Sequence, residues 1–234
     1  MVRFKKNRIL AICLSVLICV AALGVAPVKA DTDGKNPVVF VHGFSDVKSD
    51  LFGKSNFVPL IDYLVSQGWS RDRLYTIQYS DAFGSNVRNA NELNDFVNNV
   101  LAQTGSQKVD LVAHSMGGLS TRYYIKNLGG ADKVGSLVTL GSPHYGAPLA
   151  YLVNYTAGGQ EMIPGSAFLQ ALNSGDLTPG SVNYTSIYTY PDEMVPYGNC
   201  EVSGWNNIGG WYNMHLTMLF HSSVHSYVKN NLTQ

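Results

Sequence analysis

The amino-acid sequence predicts an α/β fold built on a parallel β-sheet. Short, uninterrupted apolar runs recur along the chain, as expected for strands that are buried on both faces, and segments with helical periodicity separate them. The apolar runs lie at 36–42, 73–79, 109–113, 134–140 and 183–190. Because strand and helix alternate, we expect the strands to run parallel and the helices to cover both faces of one sheet.

Helical periodicity supports the same architecture between the strands. The apolar residues of 57–65 fall on one stripe, as do those of 93–101. A third helix is predicted to begin at Met116, directly after the strand at 109–113. A last strand is expected near 201–207, followed by one helix that carries the apolar residues between 216 and 228.

The first thirty residues have the pattern of a secretory signal peptide. Four basic residues precede an apolar run at 9–25, which is short for a membrane span, and small residues stand at Val28 and Ala30 before the expected cleavage position. We therefore expect a secreted, extracellular protein without a stable membrane anchor, with a single domain at 31–234. The alternatives are a single membrane anchor and a lipid anchor through Cys19, which lacks the small residues that should precede it.

The charge and cysteine content exclude some kinds of partner. Loss of residues 1–30 removes five of the 16 basic residues and none of the 16 acidic ones, which leaves a formal net charge of −5. Such a chain has no basic surface for nucleic acid or for an anionic membrane. Cys13 and Cys19 leave with the signal peptide, so we expect Cys200 to be buried and inert, with an intermolecular disulfide as the alternative.

Ser115 lies where a predicted buried strand passes directly into a predicted helix, within Ala-His-Ser-Met-Gly. A serine in this context forms a sharp turn called the nucleophile elbow, which requires small residues two places before and after it because the two backbones approach closely. Gly117 meets this requirement, and Ala113 adds only a methyl group. We interpret Ser115 as a nucleophile, with a serine that caps a helix as the alternative.

A serine nucleophile needs a base and an acid that orients the base. In a parallel sheet, reactive groups collect at the carboxyl ends of the strands. Asp132 and Asp176 precede their strands and are expected at the opposite edge. Asp192 follows the strand at 183–190, and we choose it as the acid, with Glu193 as the neighbour that could replace it.

His215 is the predicted base, because it lies in the loop between the last strand and the last helix. His221 and His225 are spaced as half of a metal site, but no companion ligands are evident, so no metal ion is predicted. His144 precedes the chosen acid, which breaks the expected order of serine, acid and histidine. We interpret His144 as structural, and likewise His42, which we expect to make a hydrogen bond beneath the loop after the first strand.

The reaction also requires backbone N–H groups that stabilise a developing oxyanion. The elbow itself places the N–H group of Met116. Gly43 allows the chain to turn sharply after the first strand, so the N–H group of Phe44 is the second predicted donor.

Several segments together resemble the small secreted lipases of bacilli, the lipase A type, over most of the chain after the signal peptide. The segments are 36–43, 64–75, 109–118, 124–128 and 184–188. In that family the elbow also begins with alanine. The resemblance implies an α/β-hydrolase fold in one catalytic domain.

The resemblance also implies the roles of individual residues. Ser115 would be the nucleophile, Asp192 the acid and His215 the base, with Phe44 and Met116 as the oxyanion donors. This assignment agrees with the one reached from the strand ends.

The segment 141–182 departs from the lipase A type, which has a much shorter connection and no lid. Its portions 141–148 and 162–173 look like parts of larger bacterial lipases. Long connections in compact domains are usually functional or carry short helices. We expect 149–172 to form a mobile apolar cover or one wall of an acyl groove, with fixed helices that cap the sheet as the alternative.

The sequence therefore predicts a monomeric, extracellular serine ester hydrolase. The activity expected is that of a triacylglycerol lipase with carboxylesterase activity, which acts on a lipid or ester substrate at an oil–water interface through an acyl-enzyme and uses no cofactor. One alternative is an esterase that acts on polymeric or short acetyl esters. The other is a non-catalytic surface-binding module with the same fold. No carboxylate pair that could hold a structural calcium ion is evident.

Overall fold

The computed structural model describes residues 34–44 and 56–233 of the 234-residue chain. The predicted signal peptide at 1–30 lies outside the described residues. Within the described ranges, no helix is both long enough and apolar enough to cross a membrane.

One parallel sheet forms the centre of the described structure, with the strand order β2-β1-β3-β4-β5-β6. The strands are β1 (Val38–Val41), β2 (Leu74–Thr76), β3 (Val109–His114), β4 (Val134–Leu140), β5 (Asn183–Thr189) and β6 (Asn206–Gly210). The helices are α1 (Val58–Ser66), α2 (Asn86–Thr104), α3 (Gly117–Asn127), α4 (Ala157–Met162), α5 (Ala167–Leu172) and α6 (Ser222–Asn231). This architecture confirms the predicted α/β fold with a parallel sheet.

Helices cover both faces of the sheet, which explains why β1, β3 and β4 are buried along their whole length. On one face, α2 and α3 pack against each other and against residues such as Val39 and Leu111. On the other face, α1 and α6 bury residues such as Phe40 and Val112. Since neighbouring residues of a strand point to opposite faces, both sets are buried, and the carboxyl ends of the parallel strands β1, β3 and β5 lie at one edge of the sheet.

The predictions for the last strand and the last helix were wrong in position and extent. Val202 and Trp205, within the predicted strand near 201–207, are buried in loop positions, and the strand begins only at Asn206. The predicted helix of 216–228 consists of a 3-10 turn at Thr217–Phe220 and α6. His221 lies between them as the N-cap of α6, and its Nδ1 atom accepts a hydrogen bond from the Ser223 N–H group.

Candidate active site

Ser115 occupies a strained turn between β3 and α3. Its φ angle is 54°, in the left-handed region that residues other than glycine rarely adopt. The Ser115 N–H group donates to the Leu140 carbonyl at 2.9 Å, and the Ser115 carbonyl accepts from the Gly118 N–H group. These bonds fix the turn, so the hydroxyl projects above the carboxyl edge of the sheet.

Two glycines allow other backbone segments to approach this turn. A Cβ atom on Gly117 would lie 2.5 Å from the carbonyl oxygen of His42, and one on Gly43 would lie 2.6 Å from the Cβ atom of Ser115. Real Cβ atoms do not make such contacts, so both positions require glycine. Ala113 is fully buried on β3, and the turn forms with its methyl group in place.

Ser115, His215 and Asp192 are joined by two hydrogen bonds. The Oγ atom of Ser115 lies 2.9 Å from the Nε2 atom of His215, and the Nδ1 atom of His215 lies 2.8 Å from the Oδ2 atom of Asp192. The side chains of His215 and Asp192 are only 3 % and 1 % exposed. The carboxylate accepts from Nδ1–H, which leaves Nε2 free to accept the hydroxyl proton of Ser115.

The two acidic neighbours in the loop after β5 make different contacts. The second oxygen of Asp192 accepts hydrogen bonds from the N–H groups of Met194 and Val195, at 2.9 and 2.8 Å. Glu193 instead accepts from the backbone N–H group of His215 at 2.9 Å. The structure therefore places Asp192 on the imidazole ring and Glu193 on the backbone of the same histidine.

His114 also contacts His215, which the sequence reasoning missed. The Nε2 atom of His114 lies 3.1 Å from the carbonyl oxygen of His215, and because a carbonyl can only accept, Nε2 carries the proton. Burial, together with the nearby His215, lowers the pKa of His114 to about 3. This histidine is therefore neutral at ordinary pH. The only sequence signal was its place beside Ser115 in the elbow.

The remaining histidines form hydrogen bonds with groups other than the Ser115 hydroxyl. His144 is fully buried, with Nε2 3.1 Å from Thr139 Oγ1 and Nδ1 3.5 Å from Arg122 Nη1. His225 donates from Nε2 to the Leu219 carbonyl at 2.7 Å, and His42 donates from Nδ1 to the Gly43 carbonyl at 3.0 Å. Within 34–44 and 56–233, no group of three or more His, Cys, Asp or Glu residues could hold a metal ion.

The N–H groups of Phe44 and Met116 belong to two segments that meet at Ser115. Met116 follows Ser115 in the chain and is the N-cap of α3, and Phe44 follows Gly43, where an added Cβ atom would lie 2.6 Å from the Cβ atom of Ser115. In the described part of the chain, neither N–H group donates to a protein acceptor. The positive end of the α3 dipole also points toward this position.

Two cavities meet at Ser115. The first, of about 440 Å³, is lined by His42, Gly43, Phe44, Asn56, Phe57, Thr76, Gln78, His114, Ser115, Met194, His215, Leu216 and Leu219. The second, of about 200 Å³, is lined by Phe44, Ser115, Pro143, Ala147, Leu149, Ala150, Leu152, Val153, Met162, Met194 and Val195. Most of the second set belongs to the segment 141–182, which therefore forms one wall beside the serine.

Hydrogen bonds anchor this segment to the body of the domain. Glu161 of α4 accepts from the Ser85 hydroxyl at 2.7 Å, from the Asn86 N–H group at 2.6 Å and from the Asn86 side chain at 2.8 Å, all at the N-terminus of α2. The Gly158 N–H group donates to the Phe83 carbonyl at 3.0 Å. The Nζ atom of Lys126, on α3, donates to the Leu172 carbonyl of α5 at 3.1 Å. Both α4 and α5 are thus attached at their ends.

Comparison with known proteins gives related sequences that are considerably longer than this chain. It is 33 % identical over 172 residues to a triacylglycerol lipase of Burkholderia plantarii, which covers 65 % of this chain and 45 % of the relative. It is 35 % identical over 126 residues to a triacylglycerol lipase of Vibrio cholerae, which covers 52 % of this chain and 37 % of the relative. The chain thus spans less than half the length of these relatives.

Solved structures share the fold at low sequence identity. The mature form of the lipase BlEst2 from Bacillus licheniformis has a TM-score of 0.69 at 18 % identity, covering 89 % of this chain and 96 % of that one. Lipase B of Aspergillus fumigatus has a TM-score of 0.69 at 17 % identity, covering 89 % and 56 %. The family model described as Lipase (class 2) matches residues 35–229. The match confirms the predicted resemblance, and the chain belongs to the class 2 lipase family.

Proposed function

We propose that the protein is a serine ester hydrolase: a triacylglycerol lipase with carboxylesterase activity that works through an acyl-enzyme. The observation that carries this proposal is the pair of hydrogen bonds from Ser115 through His215 to Asp192. These groups lie beside two cavities at the carboxyl edge of the sheet. A serine, a base and an orienting acid in this geometry can transfer an acyl group without a further reagent except water.

In the first half of the reaction, Ser115 Oγ forms a bond to the ester carbonyl carbon while its proton moves to His215 Nε2. The carbonyl electrons move onto the carbonyl oxygen, where the N–H groups of Phe44 and Met116 stabilise the charge. When the tetrahedral intermediate collapses, the bond to the alcohol oxygen breaks and that oxygen takes the proton from Nε2. Asp192 stabilises the imidazolium that exists between these two steps.

In the second half, water attacks the acyl-enzyme. Its proton moves to Nε2 of His215 as its oxygen bonds to the acyl carbon. Collapse of this second intermediate releases the carboxylic acid and returns the proton to Ser115 Oγ. The enzyme regains its starting state, with the ester hydrolysed to an acid and an alcohol.

Exposed apolar side chains near the cavities support a water-insoluble substrate. Several apolar side chains near the cavities are more than about two fifths exposed. They lie in the segment 141–182, in the loop after β5 or beside His215, and include Leu149, Tyr151, Leu152, Tyr155, Met194, Met214 and Leu216. Leu149, Leu152, Met194 and Leu216 line the two cavities as well. Apolar surface that is continuous with a substrate cavity is typical of proteins that contact lipid.

Covalent labelling tests the proposal. A fluorophosphonate probe should modify Ser115, and the Ser115→Ala variant should lose both labelling and hydrolysis of p-nitrophenyl butyrate and emulsified triacylglycerol. Ser203, an exposed serine, provides the control variant Ser203→Ala, which should retain both. Full activity in Ser115→Ala would contradict the proposal. Turnover of a polyester film or of acetyl esters without turnover of triacylglycerol would replace the lipase assignment by an esterase.

Secretion and the monomeric state belong to the same proposal. Secretion is supported by the signal-peptide pattern at 1–30, and the monomeric state by a hydrogen-bonded set of Ser115, His215 and Asp192 that one chain supplies. Recovery of the protein from culture medium with Asp31 as its first residue, and a molar mass of one chain by light scattering, are the expected results.

A further inference from the structure

We propose that the two cavities bind different halves of the ester: the cavity walled by the segment 141–182 takes the acyl chain, and the cavity beside His215 takes the alcohol. We name these the acyl cavity, of about 200 Å³, and the alcohol cavity, of about 440 Å³. This inference rests on the proposed ester hydrolysis. It further assigns Ala150 as a residue that determines the preferred acyl-chain length.

Both cavities reach the reacting atom and share a boundary. Ser115, Phe44 and Met194 line each of them. When the carbonyl carbon of the ester is bonded to Ser115 Oγ, one cavity therefore lies on each side of it. Phe44 and Met194 form the boundary between the two cavities. The acyl substituent and the alcohol substituent of one ester can occupy the two cavities at the same time.

The path of the proton decides which half enters which cavity. His215 Nε2 must deliver a proton to the alcohol oxygen as the ester bond breaks, so that oxygen must lie beside the imidazole. His215 lines the alcohol cavity, together with Leu216 and His114. It does not line the acyl cavity. The alcohol therefore leaves through the side that contains His215, and the acyl chain occupies the other side.

The chemistry of the two walls agrees with this assignment. Apart from Ser115, every side chain that lines the acyl cavity is apolar, which suits a hydrocarbon chain. The alcohol cavity also contains the polar side chains of Asn56, Thr76 and Gln78. Such groups suit an alcohol that carries further hydroxyl or ester oxygens, as glycerol does.

The depth of the acyl cavity depends on small residues in an anchored wall. Ala147 and Ala150 are 7 % and 2 % exposed, and both line the cavity. Because Glu161 and Gly158 attach α4 to the body of the domain, this wall has a fixed position against which a larger side chain would reduce the space. A longer side chain at position 150 should therefore exclude long acyl chains and spare short ones.

Hydrolysis of p-nitrophenyl esters with acetyl, butyryl and octanoyl groups, each below its critical micelle concentration, tests this inference. The alcohol is the same in all three, so the ratio of kcat/KM values for octanoyl and acetyl esters reports the acyl cavity alone. In Ala150→Leu we expect this ratio to fall about tenfold or more. An unchanged ratio would overturn the assignment of Ala150.

Two exposed residues provide variants that do not depend on repacking of the core. Leu152 is 74 % exposed and lines the acyl cavity, so Leu152→Ser should lower the same ratio about threefold. Leu216 is 46 % exposed and lines the alcohol cavity. Leu216→Ser should instead lower the preference for hexyl over ethyl butyrate and leave the acyl ratio unchanged. Val65, which is 39 % exposed on α1 and lines neither cavity, provides the control Val65→Ser.

The outcomes separate this inference from the proposed function. If the variants at 150 and 152 changed the alcohol preference and Leu216→Ser changed the acyl preference, the assignment of the cavities would be reversed although ester hydrolysis stood. Absence of activity in the unmodified protein on all the esters would contradict the proposed function itself.

Discussion

The imidazole of His114 holds the backbone of His215, with 3.1 Å between the Nε2 atom of the first and the carbonyl oxygen of the second. The two rings also lie 4.7 Å apart. Glu193 binds the N–H group of the same residue, so both backbone polar groups of His215 are held. Two elements therefore hold the loop that carries His215, the proposed base. One is β3, through His114, and the other is the loop of Asp192, through Glu193.

Loss of the His114 contact should slow the reaction more than it weakens substrate binding. In His114→Leu, the His215 loop loses one attachment, and a displacement of about 1 Å in the reacting geometry can cost about 100-fold in rate. We expect kcat to fall by about 10- to 100-fold with a smaller change in KM. His114→Gln, whose amide can still donate to the carbonyl, should recover part of the loss. Equal kinetics for the two variants would argue against a positioning role.

Replacement of Asp192 or Glu193 by its amide should lower kcat/KM to very different extents. Asp192→Asn removes the acceptor for His215 Nδ1–H and favours the wrong tautomer, so kcat/KM should fall by about 10³- to 10⁴-fold. Glu193→Gln keeps an oxygen that can accept from the His215 N–H group, and we expect a loss below about tenfold. Steady-state kinetics of both variants on p-nitrophenyl butyrate give the comparison. The reverse order of effects would make Glu193 the acid.

A methyl group at position 43 should impair activity without unfolding the protein. The Cβ atom of Gly43→Ala would meet the Cβ atom of Ser115 at 2.6 Å, so the loop that carries the Phe44 N–H group must move. We expect kcat/KM to fall by about 100-fold or more. Gly198 has no atom within 4 Å of an added Cβ, so Gly198→Ala is the matched control. Near-normal activity in Gly43→Ala would show that the donor position tolerates displacement.

Removal of the Glu161 carboxylate should loosen the wall of the acyl cavity. In Glu161→Ala, the Asn86 N–H group and the Ser85 hydroxyl lose their acceptor at the start of α2, which costs about 1–2 kcal/mol. Chemical denaturation should show this loss, and limited proteolysis should cut within 157–166 sooner than in the parent protein. Unchanged proteolysis would mean that other contacts suffice to hold α4.

Buried neutral histidines should make the fold sensitive to acid. Burial and the nearby Arg122 lower the pKa of His144 well below its ordinary value of 6.5, and His114 is shifted in the same direction. As the pH falls below about 6.5, the unfolded chain binds protons that the folded protein does not, so stability falls toward pH 3. Urea midpoints measured between pH 7 and 4 should fall less in His144→Gln than in the parent protein. Parallel curves would exclude this histidine as a cause.

The sequence was most informative where one local pattern has a single structural solution. The run 109–117 predicted a buried strand, a turn at Ser115 and a helix, because an apolar run followed by small residues around a serine is compatible with little else. The position of Asp192 followed from the rule that reactive groups lie at the carboxyl ends of parallel strands. Both inferences depend on neighbours in the chain and on the direction of the strands.

Contacts between residues that lie far apart in the chain could not be predicted from local sequence patterns. Nothing in the pattern around His114 shows that its ring meets a carbonyl 101 positions later, and nothing around Glu161 shows that it caps a helix 75 positions earlier. The last strand was misplaced for a related reason. Val202 and Trp205 are apolar because they fill the core from a loop, which local alternation does not distinguish from a strand.

The left-handed backbone conformation of Ser115 lowers the stability of the fold at the position that the proposed activity requires. A residue other than glycine in this conformation costs about 1–3 kcal/mol, and the rest of the fold must supply that energy. Ser115→Gly relieves the cost, whereas Ser115→Ala keeps it, so of two inactive proteins the glycine variant should be the more stable. Selection for stability alone would therefore remove the hydroxyl, and its presence is what selection for the proposed reaction would produce.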